Sequence, residues 1–296
     1  MADGLARTTR VAIIGANGQL GTELVKAFAD FQVSPLTHAD IEVTDLDSIA
    51  RTLGELRPDV VVNTAAFHRV DDIELDPRRA FEVNALGVRH LALVCRELDA
   101  VLVHFSTDYV FSGDKGAPYG EDDLPGPVNA YGASKLAGEY LLRYLHPRHY
   151  LLRTTGLFGL AGSSGKGGNF VETMLRLQRE GRRIRVVDDQ VLSPTYCPDL
   201  ARKVRELVAT GAYGLYHVTS SGYCSWYQFA RKIFELLDLE VDLAPQSSAE
   251  AGSRARRPAF SALRHDRLQA LGLDDMLPWD EGLRRYLLER AAAGRT

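Results

Sequence analysis

Short apolar runs alternate with longer amphipathic stretches through the first half of the chain. Val60-Val61-Val62, which follows Pro58-Asp59, is a continuous β-branched run of the kind that suits a strand covered on both faces. Repeated alternation of strand and helix predicts a doubly wound α/β fold with a parallel sheet. The predicted strands are residues 11–14, 33–36, 60–62, 100–105 and 150–153, and the predicted helices are residues 19–31, 47–57, 77–98 and 129–145.

The second half is less regular, and we expect it to form mainly a smaller lobe over the carboxyl edge of the sheet. A boundary near residue 155 divides the chain into residues 1–155 and 156–296, with some later segments returning to the sheet. Asn169 is a candidate N-cap. Strands are predicted at 182–187 and 214–218, helices at 169–180, 199–209 and 226–237, and loops at 160–168 and 245–258.

A glycine turn joins the first strand to the first helix. Its sequence is Gly15-Ala16-Asn17-Gly18-Gln19-Leu20-Gly21, with the spacing G-x-x-G-x-x-G. A turn of this kind brings backbone N–H groups and a helix N-terminus up to an anion, most often a phosphate. The motif alone leaves a simple tight turn as the alternative.

A second motif lies on the helix predicted at 129–145. Tyr131 and Lys135 are four residues apart, so they share one face of that helix. A nearby ammonium favours the phenolate and lowers the pKa of a tyrosine from about 10, which prepares it for acid–base catalysis. The alternative is a surface tyrosine one turn from an exposed lysine. Ser106 and Thr107 end the preceding strand, where their hydroxyls can bond a carbonyl that is being reduced.

Together these motifs predict a Rossmann-type, nicotinamide-dependent reductase. Composition agrees with this prediction, since 296 residues with a net charge of −4 and no long like-charge run offer nothing that favours nucleic acid. The cysteines at 95, 197 and 224 fit neither a disulfide framework nor a metal site. We expect a cytoplasmic protein with no signal peptide, no membrane partner and no metal.

The chain resembles the extended short-chain dehydrogenase/reductases and, more narrowly, the family of dTDP-4-dehydrorhamnose reductases. The similarity spans nearly the whole chain, and its most family-specific part is Ser106-Thr107-Asp108-Tyr109-Val110-Phe111. Further matches are residues 15–21, 57–63, 65–66, 70–71, 131–135, 153–154, 168–170, 189–190, 194–195, 214–217 and 257–258.

The resemblance implies roles for individual residues. The catalytic set would be Thr107, Tyr131 and Lys135, with Lys135 lowering the tyrosine pKa and holding the nicotinamide ribose. Residues implied at the cofactor, besides Tyr131 and Lys135, are Gly15, Asn17, Gly18, Gln19, Leu20, Asp45, Leu46, Ala65, Ala66 and Phe67. Residues implied at the substrate are Thr107, Asp108, Tyr109, Phe111, Asn169 and Arg257.

The implied reaction is transfer of a hydride from NAD(P)H to C4 of a dTDP-4-keto-6-deoxyhexose, which converts dTDP-4-dehydrorhamnose to dTDP-L-rhamnose. Thr37 and His38, after the second strand, can serve either cofactor; we favour NADPH and expect NADH to be accepted. The partner would be a dTDP-sugar, and the protein would be a monomer or a homodimer.

Two departures put the exact sugar in doubt. Gly156 stands where many members of the family have a tryptophan that would wall the sugar pocket, and the loop 159–168 is longer than in several members. Phe158 is a candidate replacement wall, and Lys166 is a candidate phosphate ligand or a solvated lysine. Trp226 is expected to pack within the lobe. The alternatives are a reductase or epimerase of another nucleotide sugar, and a non-catalytic regulatory subunit on the same scaffold.

Overall fold

The computed structural model describes residues 6–162 and 168–295. Every strand of its main sheet runs parallel to its neighbours, as the alternation of apolar runs and helices predicts. In chain order the strands are β1 Arg10–Ile14, β2 Gln32–Leu36, β3 Val60–Asn63, β4 Val101–Thr107, β5 His149–Thr154, β6 Leu157–Phe158, β7 Ile184–Val187, β8 Val191–Leu192, β9 Thr195–Tyr196, β10 Gly214–His217, β11 Cys224–Ser225 and β12 Leu243–Gln246.

The six-stranded sheet has the order β10-β5-β4-β3-β1-β2, which confirms the doubly wound fold. β2 lies beside β1 on one side and β3 lies beside it on the other, so the direction in which successive strands are added reverses at β1. A crevice opens at such a point, beyond the carboxyl ends of the strands, and ligands of this fold class bind there. The glycine turn that follows β1 therefore lies at the expected binding edge.

Helices cover both faces of this sheet. In chain order the α-helices of the described residues, including those that pack away from this sheet, are α1 Gln19–Ala27, α2 Leu46–Leu56, α3 Val70–Leu75, α4 Arg78–Phe81, α5 Gly87–Glu97, α6 Ala130–Leu145, α7 Phe170–Arg179, α8 Cys197–Val208, α9 Trp226–Leu236, α10 Ser248–Ala251, α11 Asp266–Ala270 and α12 Trp279–Ala292.

One apolar cluster packs α1 and α8 against one face of the sheet, and a second packs α2, α5 and α6 against the other. β3 shows the consequence, because all four of its residues are buried. The continuous apolar runs of the sequence are therefore strands covered on both sides.

Three local predictions differ from the structure. The first helix ends at Ala27, because Phe28 leaves the helix and buries its ring in the core. The single helix predicted at 77–98 is interrupted between α4 and α5 by a π-helical segment, Glu82–Leu86. The loop predicted at 245–258 contains the end of β12, which pairs with β7, and the short helix α10. Pro245 is tolerated in β12 because β12 is an edge strand. Ser247 caps α10 by accepting from the Glu250 backbone N–H.

Residues after 155 form a third, aromatic-rich cluster and also return to the main sheet. Phe158, Phe229 and Tyr286 are fully buried at the centre of this cluster. β10 becomes the edge strand beside β5, and α8 packs on α1. Within the described residues, no helix has both the length and the apolar character required to cross a membrane.

Candidate active site

A cavity of about 740 Å³ lies at the carboxyl ends of β1, β3 and β4, and residues of the later lobe close one side of it. Most of the residues implied for the cofactor and substrate meet here. The predicted residues that line it are Gly15, Asn17, Gly18, Gln19, Leu20, Ala65, Ala66, Thr107, Asp108, Tyr109, Tyr131, Lys135 and Asn169.

The three glycines of the turn have different roles. Gly15 has a φ of +78°, and a Cβ there would lie 2.5 Å from Thr64 Oγ1. A Cβ at Gly21 would lie 2.1 Å from the Gly15 carbonyl oxygen, so both positions require glycine for the fold itself. A Cβ at Gly18 would have only that oxygen within 4 Å, at 3.1 Å. The Gly18 backbone begins α1 without a side-chain cap, which leaves N–H groups of the first turn facing the cavity for an anion.

Thr107 connects the predicted catalytic residues. Its hydroxyl donates to Asp108 Oδ1 at 2.9 Å and accepts from the Tyr109 backbone N–H at 3.1 Å. A hydrogen bond also joins the side chains of Thr107 and Tyr131. The end of β4 thus holds a hydroxyl group, a carboxyl group and a phenol together at the cavity wall.

The pKa of Tyr131 is raised and not lowered, contrary to the sequence-based expectation. Burial is the main cause and the negative charge of Asp108 adds to it, while the hydrogen bond with Thr107 opposes both. Lys135 does not offset this rise, because its Nζ donates to the Phe105 carbonyl oxygen at 2.6 Å and lies 3.3 Å from His104 Nε2. Tyr131 therefore holds its proton throughout the neutral range.

Lys135 is almost completely buried, and burial lowers its pKa to about 8. Glu139, one turn further along α6, opposes this effect. Its carboxylate is bound by both arms of Arg153 at 2.9 and 2.6 Å. The amine is thus charged below about pH 8 and loses its proton above that value.

Asp108 is a buried carboxyl group with three hydroxyl neighbours. Burial raises its pKa to about 6, although hydrogen bonds from Ser261, Thr155 and Thr107 oppose the rise. The Ser261 hydroxyl, from the C-terminal lobe, donates to Asp108 Oδ2 at 2.5 Å. Asp108 therefore links the sheet to the lobe directly beside Tyr131.

Several predicted residues do not line the cavity. Asp45 caps α2 by accepting from the backbone N–H groups of Asp47 and Ser48, and Leu46 begins that helix. The backbone N–H and carbonyl of Phe67 are both bonded to the Asn84 side chain. These contacts give the three predicted residues local structural roles outside the cavity wall.

Phe111 and Phe158 are also core residues. The Phe111 ring stacks on Tyr119 with centroids 4.2 Å apart, and Phe158 packs among the lobe aromatics at 5.5 Å from Tyr196. Both are buried away from the cavity, so the expectation that Phe158 replaces the missing wall is wrong. Full burial in an apolar cluster gives each ring a packing role.

Arg257 and Asn169 have most of their polar groups engaged within the protein. Arg257 lies off the cavity wall, where Nη2 donates to Asp71 Oδ2 at 2.8 Å. Asn169 does line the cavity and caps α7 as predicted, accepting from the Glu172 N–H, while its amide nitrogen donates to the Gly159 carbonyl. Lys166 lies outside the described residues.

The lobe contributes an aromatic pair to the cavity wall, and the sequence-based interpretation had assigned one member of it, Trp226, to packing alone. Trp226 and Phe170 line the cavity with ring centroids 4.6 Å apart. Trp226 also contacts Phe229 of the lobe core at 6.3 Å, so it both packs and faces the cavity. The sequence signal for this position was that Trp226 directly follows the capping residue Ser225, which places it at the first residue of α9.

Comparison with known proteins places the chain in a family. The family model described as "RmlD substrate binding domain" matches residues 9–291. The chain belongs to this RmlD family. A spore coat polysaccharide biosynthesis protein, SpsK, of Bacillus subtilis is 41% identical over 287 residues, which cover 96% of this chain and 99% of the relative. A dTDP-4-dehydrorhamnose reductase of Streptomyces griseus is 38% identical, with 93% and 91% covered.

Solved structures agree with this membership of the RmlD family. A dTDP-4-dehydrorhamnose reductase from Bacillus anthracis, in complex with NADP, superposes with a TM-score of 0.91 at 39% identity and covers 95% of this chain and 99% of its own. A UDP-glucose 4-epimerase from Thermus thermophilus, at 21% identity and a TM-score of 0.81, shares the fold.

The cavity of this RmlD-family chain fits a nicotinamide dinucleotide. Its volume lies within the range of small-molecule and cofactor sites, about 300–1,000 Å³. Ser106 Oγ, Thr154 Oγ1 and Gln19 Oε1 are buried in its wall, and each lacks a hydrogen-bond partner within the described part of the chain. Buried polar atoms are normally paired, so these atoms are suited to a polar ligand.

Proposed function

We propose that this chain catalyses the NAD(P)H-dependent reduction of the C4 keto group of a dTDP-4-keto-6-deoxyhexose, converting dTDP-4-dehydrorhamnose to dTDP-L-rhamnose. The observation that carries the proposal is that Tyr131, Thr107 and Lys135 line the same cavity as the glycine turn at the start of α1. A proton donor and a phosphate-binding turn in one cavity are what hydride transfer to a carbonyl requires.

Tyr131 supplies the proton. When bound, the reduced nicotinamide provides the hydride for C4, and the negative charge that develops on the C4 oxygen then needs a proton. Burial keeps Tyr131 protonated at neutral pH, and the Thr107 hydroxyl lies beside its phenol. General acid catalysis of this kind contributes about 10²–10⁴-fold to the rate.

Lys135 and Asp108 have separate roles beside Tyr131. Lys135, buried on the same face of α6, donates to the Phe105 carbonyl oxygen, and we place its ammonium at the nicotinamide ribose. Asp108 accepts from Thr107 and Ser261, so it orients the hydroxyl beside the reacting oxygen. The negative charge of Asp108 opposes proton loss from Tyr131, and Lys135 does not offset that effect.

The lobe side of the cavity is where we place the nucleotide part of the substrate. Trp226 and Phe170 present aromatic rings there, and a pyrimidine base can stack on such surfaces. Arg257 stays a candidate for the diphosphate, provided that it exchanges its contact with Asp71 for the ligand.

A second candidate function is the 4-keto reduction of a different dTDP-6-deoxysugar. Gly156 lines the cavity with a φ of +59°, and a Cβ there would lie 2.8 Å from Leu192 Cδ1. A side chain at position 156 would therefore be strained by the left-handed backbone and would require Leu192 to move, so we place no aromatic wall at this point of the sugar pocket. A relative from Streptomyces niveus that is 37% identical is named dTDP-4-keto-6-deoxy-D-glucose reductase.

We further propose that the protein acts in the cytoplasm, as a monomer or a homodimer. Cys95, Cys197 and Cys224 are free and buried, which suits a reducing compartment.

The test measures NADPH oxidation with dTDP-4-keto-6-deoxy-L-mannose, against GDP- and UDP-linked 4-ketosugars. We expect turnover with the dTDP sugar and little with the others. Tyr131→Phe should bind NADPH normally and lose about 10²–10⁴-fold in kcat. Turnover confined to another dTDP-4-keto-6-deoxysugar would favour the second candidate, and no turnover with any ketosugar would favour a regulatory role.

A further inference from the structure

The cavity extends beyond the glycine turn to the loop that follows β2. Thr37, His38 and Glu42 line this end, and Arg79 reaches it from α4. In doubly wound dinucleotide sites, the end of the second strand meets the adenosine ribose. A carboxylate there accepts from the ribose 2′-hydroxyl of NAD, whereas an arginine accommodates the 2′-phosphate of NADP.

The loop has three carboxylates, and each is already bonded within the protein. Asp45 caps α2 and does not line the cavity. Asp40 Oδ2 accepts from the Thr37 backbone N–H at 2.8 Å and from its hydroxyl at 2.7 Å. Glu42 Oε1 accepts from the Thr44 N–H at 2.9 Å and from the Thr44 hydroxyl at 2.7 Å. Of these carboxylates only Glu42 lines the cavity, and its second oxygen, Oε2, faces the His38 ring and the Arg79 guanidinium.

The positive charge at this end comes from a distant segment. Arg79 Nη2 lies 3.8 Å from Glu42 Oε2, and His38 Nδ1 lies 3.4 Å from the same oxygen. Arg79 Nη1 also donates to Glu82 Oε2 at 3.4 Å, and its side chain is 48% exposed. The guanidinium is thus held at the cavity by long contacts that a phosphate can replace with shorter ones.

We propose that Arg79 binds the adenosine 2′-phosphate and that Glu42 competes with this phosphate for Arg79, so that the pair sets the preference for NADPH over NADH. The inference rests on the proposed function only in needing a nicotinamide dinucleotide in the cavity. It assigns cofactor choice to Arg79 of α4 acting with Glu42 of the loop after β2, whereas Thr37 and His38, directly after β2, do not decide it.

The experiment measures dissociation constants of NADPH and NADH for the full chain by fluorescence titration, without sugar. Arg79→Gln should weaken NADPH binding roughly tenfold and leave NADH within about twofold, because only NADPH has the charged group. Glu42→Gln keeps an oxygen for Thr44 but removes the charge, so it should strengthen NADPH binding severalfold. The two variants therefore change the NADPH-to-NADH ratio in opposite directions.

Arg78→Gln is the matched control. Arg78 precedes Arg79 in the same helix, but it is 85% exposed, pairs with Asp76 at 2.7 Å and does not line the cavity. It should leave both dissociation constants unchanged. Competition with NADPH by 2′,5′-ADP and by 5′-AMP compares two ligands that differ only in the 2′-phosphate. We expect 2′,5′-ADP to compete better with the wild-type protein, and Arg79→Gln should remove this difference.

An Arg79→Gln protein with the wild-type NADPH-to-NADH ratio would overturn this inference while leaving the reductase proposal intact. Equal losses for NADPH and NADH would also overturn it, since they would show a general effect on the cavity. A wild-type chain that binds neither cofactor would overturn the inference and the proposed function together.

Discussion

Replacing Asp108 by asparagine should make the protein more stable at neutral pH while impairing catalysis. Burial raises the pKa of this carboxyl group from 3.8 to about 6, so the folded state disfavours its ionised form. A pKa difference of one unit corresponds to about 1.4 kcal/mol. Above pH 6 the ionised group therefore costs the folded state about 3 kcal/mol, whereas below pH 3.8 it costs nothing.

The sign follows from proton binding. Between pH 3.8 and 6 the folded state holds more protons at Asp108 than the unfolded state, so the contribution of this group to stability falls as pH rises. From the same two pKa values, the cost is about 1 kcal/mol at pH 4.5 and about 3 kcal/mol at pH 7.5. The stability of Asp108→Asn relative to wild type should therefore increase by about 2 kcal/mol between these two pH values.

The assay is urea denaturation of both proteins at pH 4.5 and 7.5, followed by tryptophan fluorescence. Other titrating groups are common to both proteins and cancel in the comparison. Because Asp108 accepts from Thr107 and Ser261, the variant should also show a lower kcat/KM. An identical stability difference at the two pH values would refute the assignment of a disfavoured carboxylate to this site.

Three further results are expected. Gly18→Val should fold but bind NADPH poorly, because a Cβ there meets only the Gly15 carbonyl oxygen, at 3.1 Å, and its methyl groups would take the place of the pyrophosphate. Gly21→Ala should not fold, since its Cβ would lie 2.1 Å from the same oxygen. Unchanged NADPH affinity of the Gly18 variant would rule out the phosphate turn. The rate should fall above about pH 8 as Lys135 loses its proton, and a flat profile to pH 10 would contradict that role. Arg257→Ala should raise the KM for the sugar nucleotide by about 10- to 150-fold, whereas Asp71→Asn, which removes its ion-pair partner, should not. Equal changes in KM for both variants would show that the Arg257–Asp71 pair has a structural role only.

The parts of the fold and site that the sequence predicted correctly are those with local signals. The central strands β1, β3 and β4 each have their own apolar run, and the glycine turn follows β1 directly. Tyr131 and Lys135 share a face of α6 because four residues make about one helical turn. Such features need no knowledge of distant segments, so pattern and spacing were sufficient.

The features that the sequence did not predict depend on contacts between distant segments. Arg79 reaches the end of β2 from α4, and Trp226 reaches the cavity from the lobe. The lowered pKa expected for Tyr131 was wrong because helical spacing alone does not show that the Lys135 amine bonds to the β4 backbone. Phe111 lies in the most family-specific motif, yet its ring turns into the core against Tyr119.

The most direct test of the proposed reaction uses NADPH that carries deuterium at the transferred C4 position of the nicotinamide, with dTDP-4-keto-6-deoxy-L-mannose as substrate. NMR of the product should show one deuterium at C4 of the sugar for each NADPH oxidised, and Tyr131→Phe should lose most of this product. An epimerase would return the ketosugar epimer with no net NADPH oxidation. A product without deuterium at C4, or no product at all, would contradict the assignment of this chain as a 4-ketoreductase.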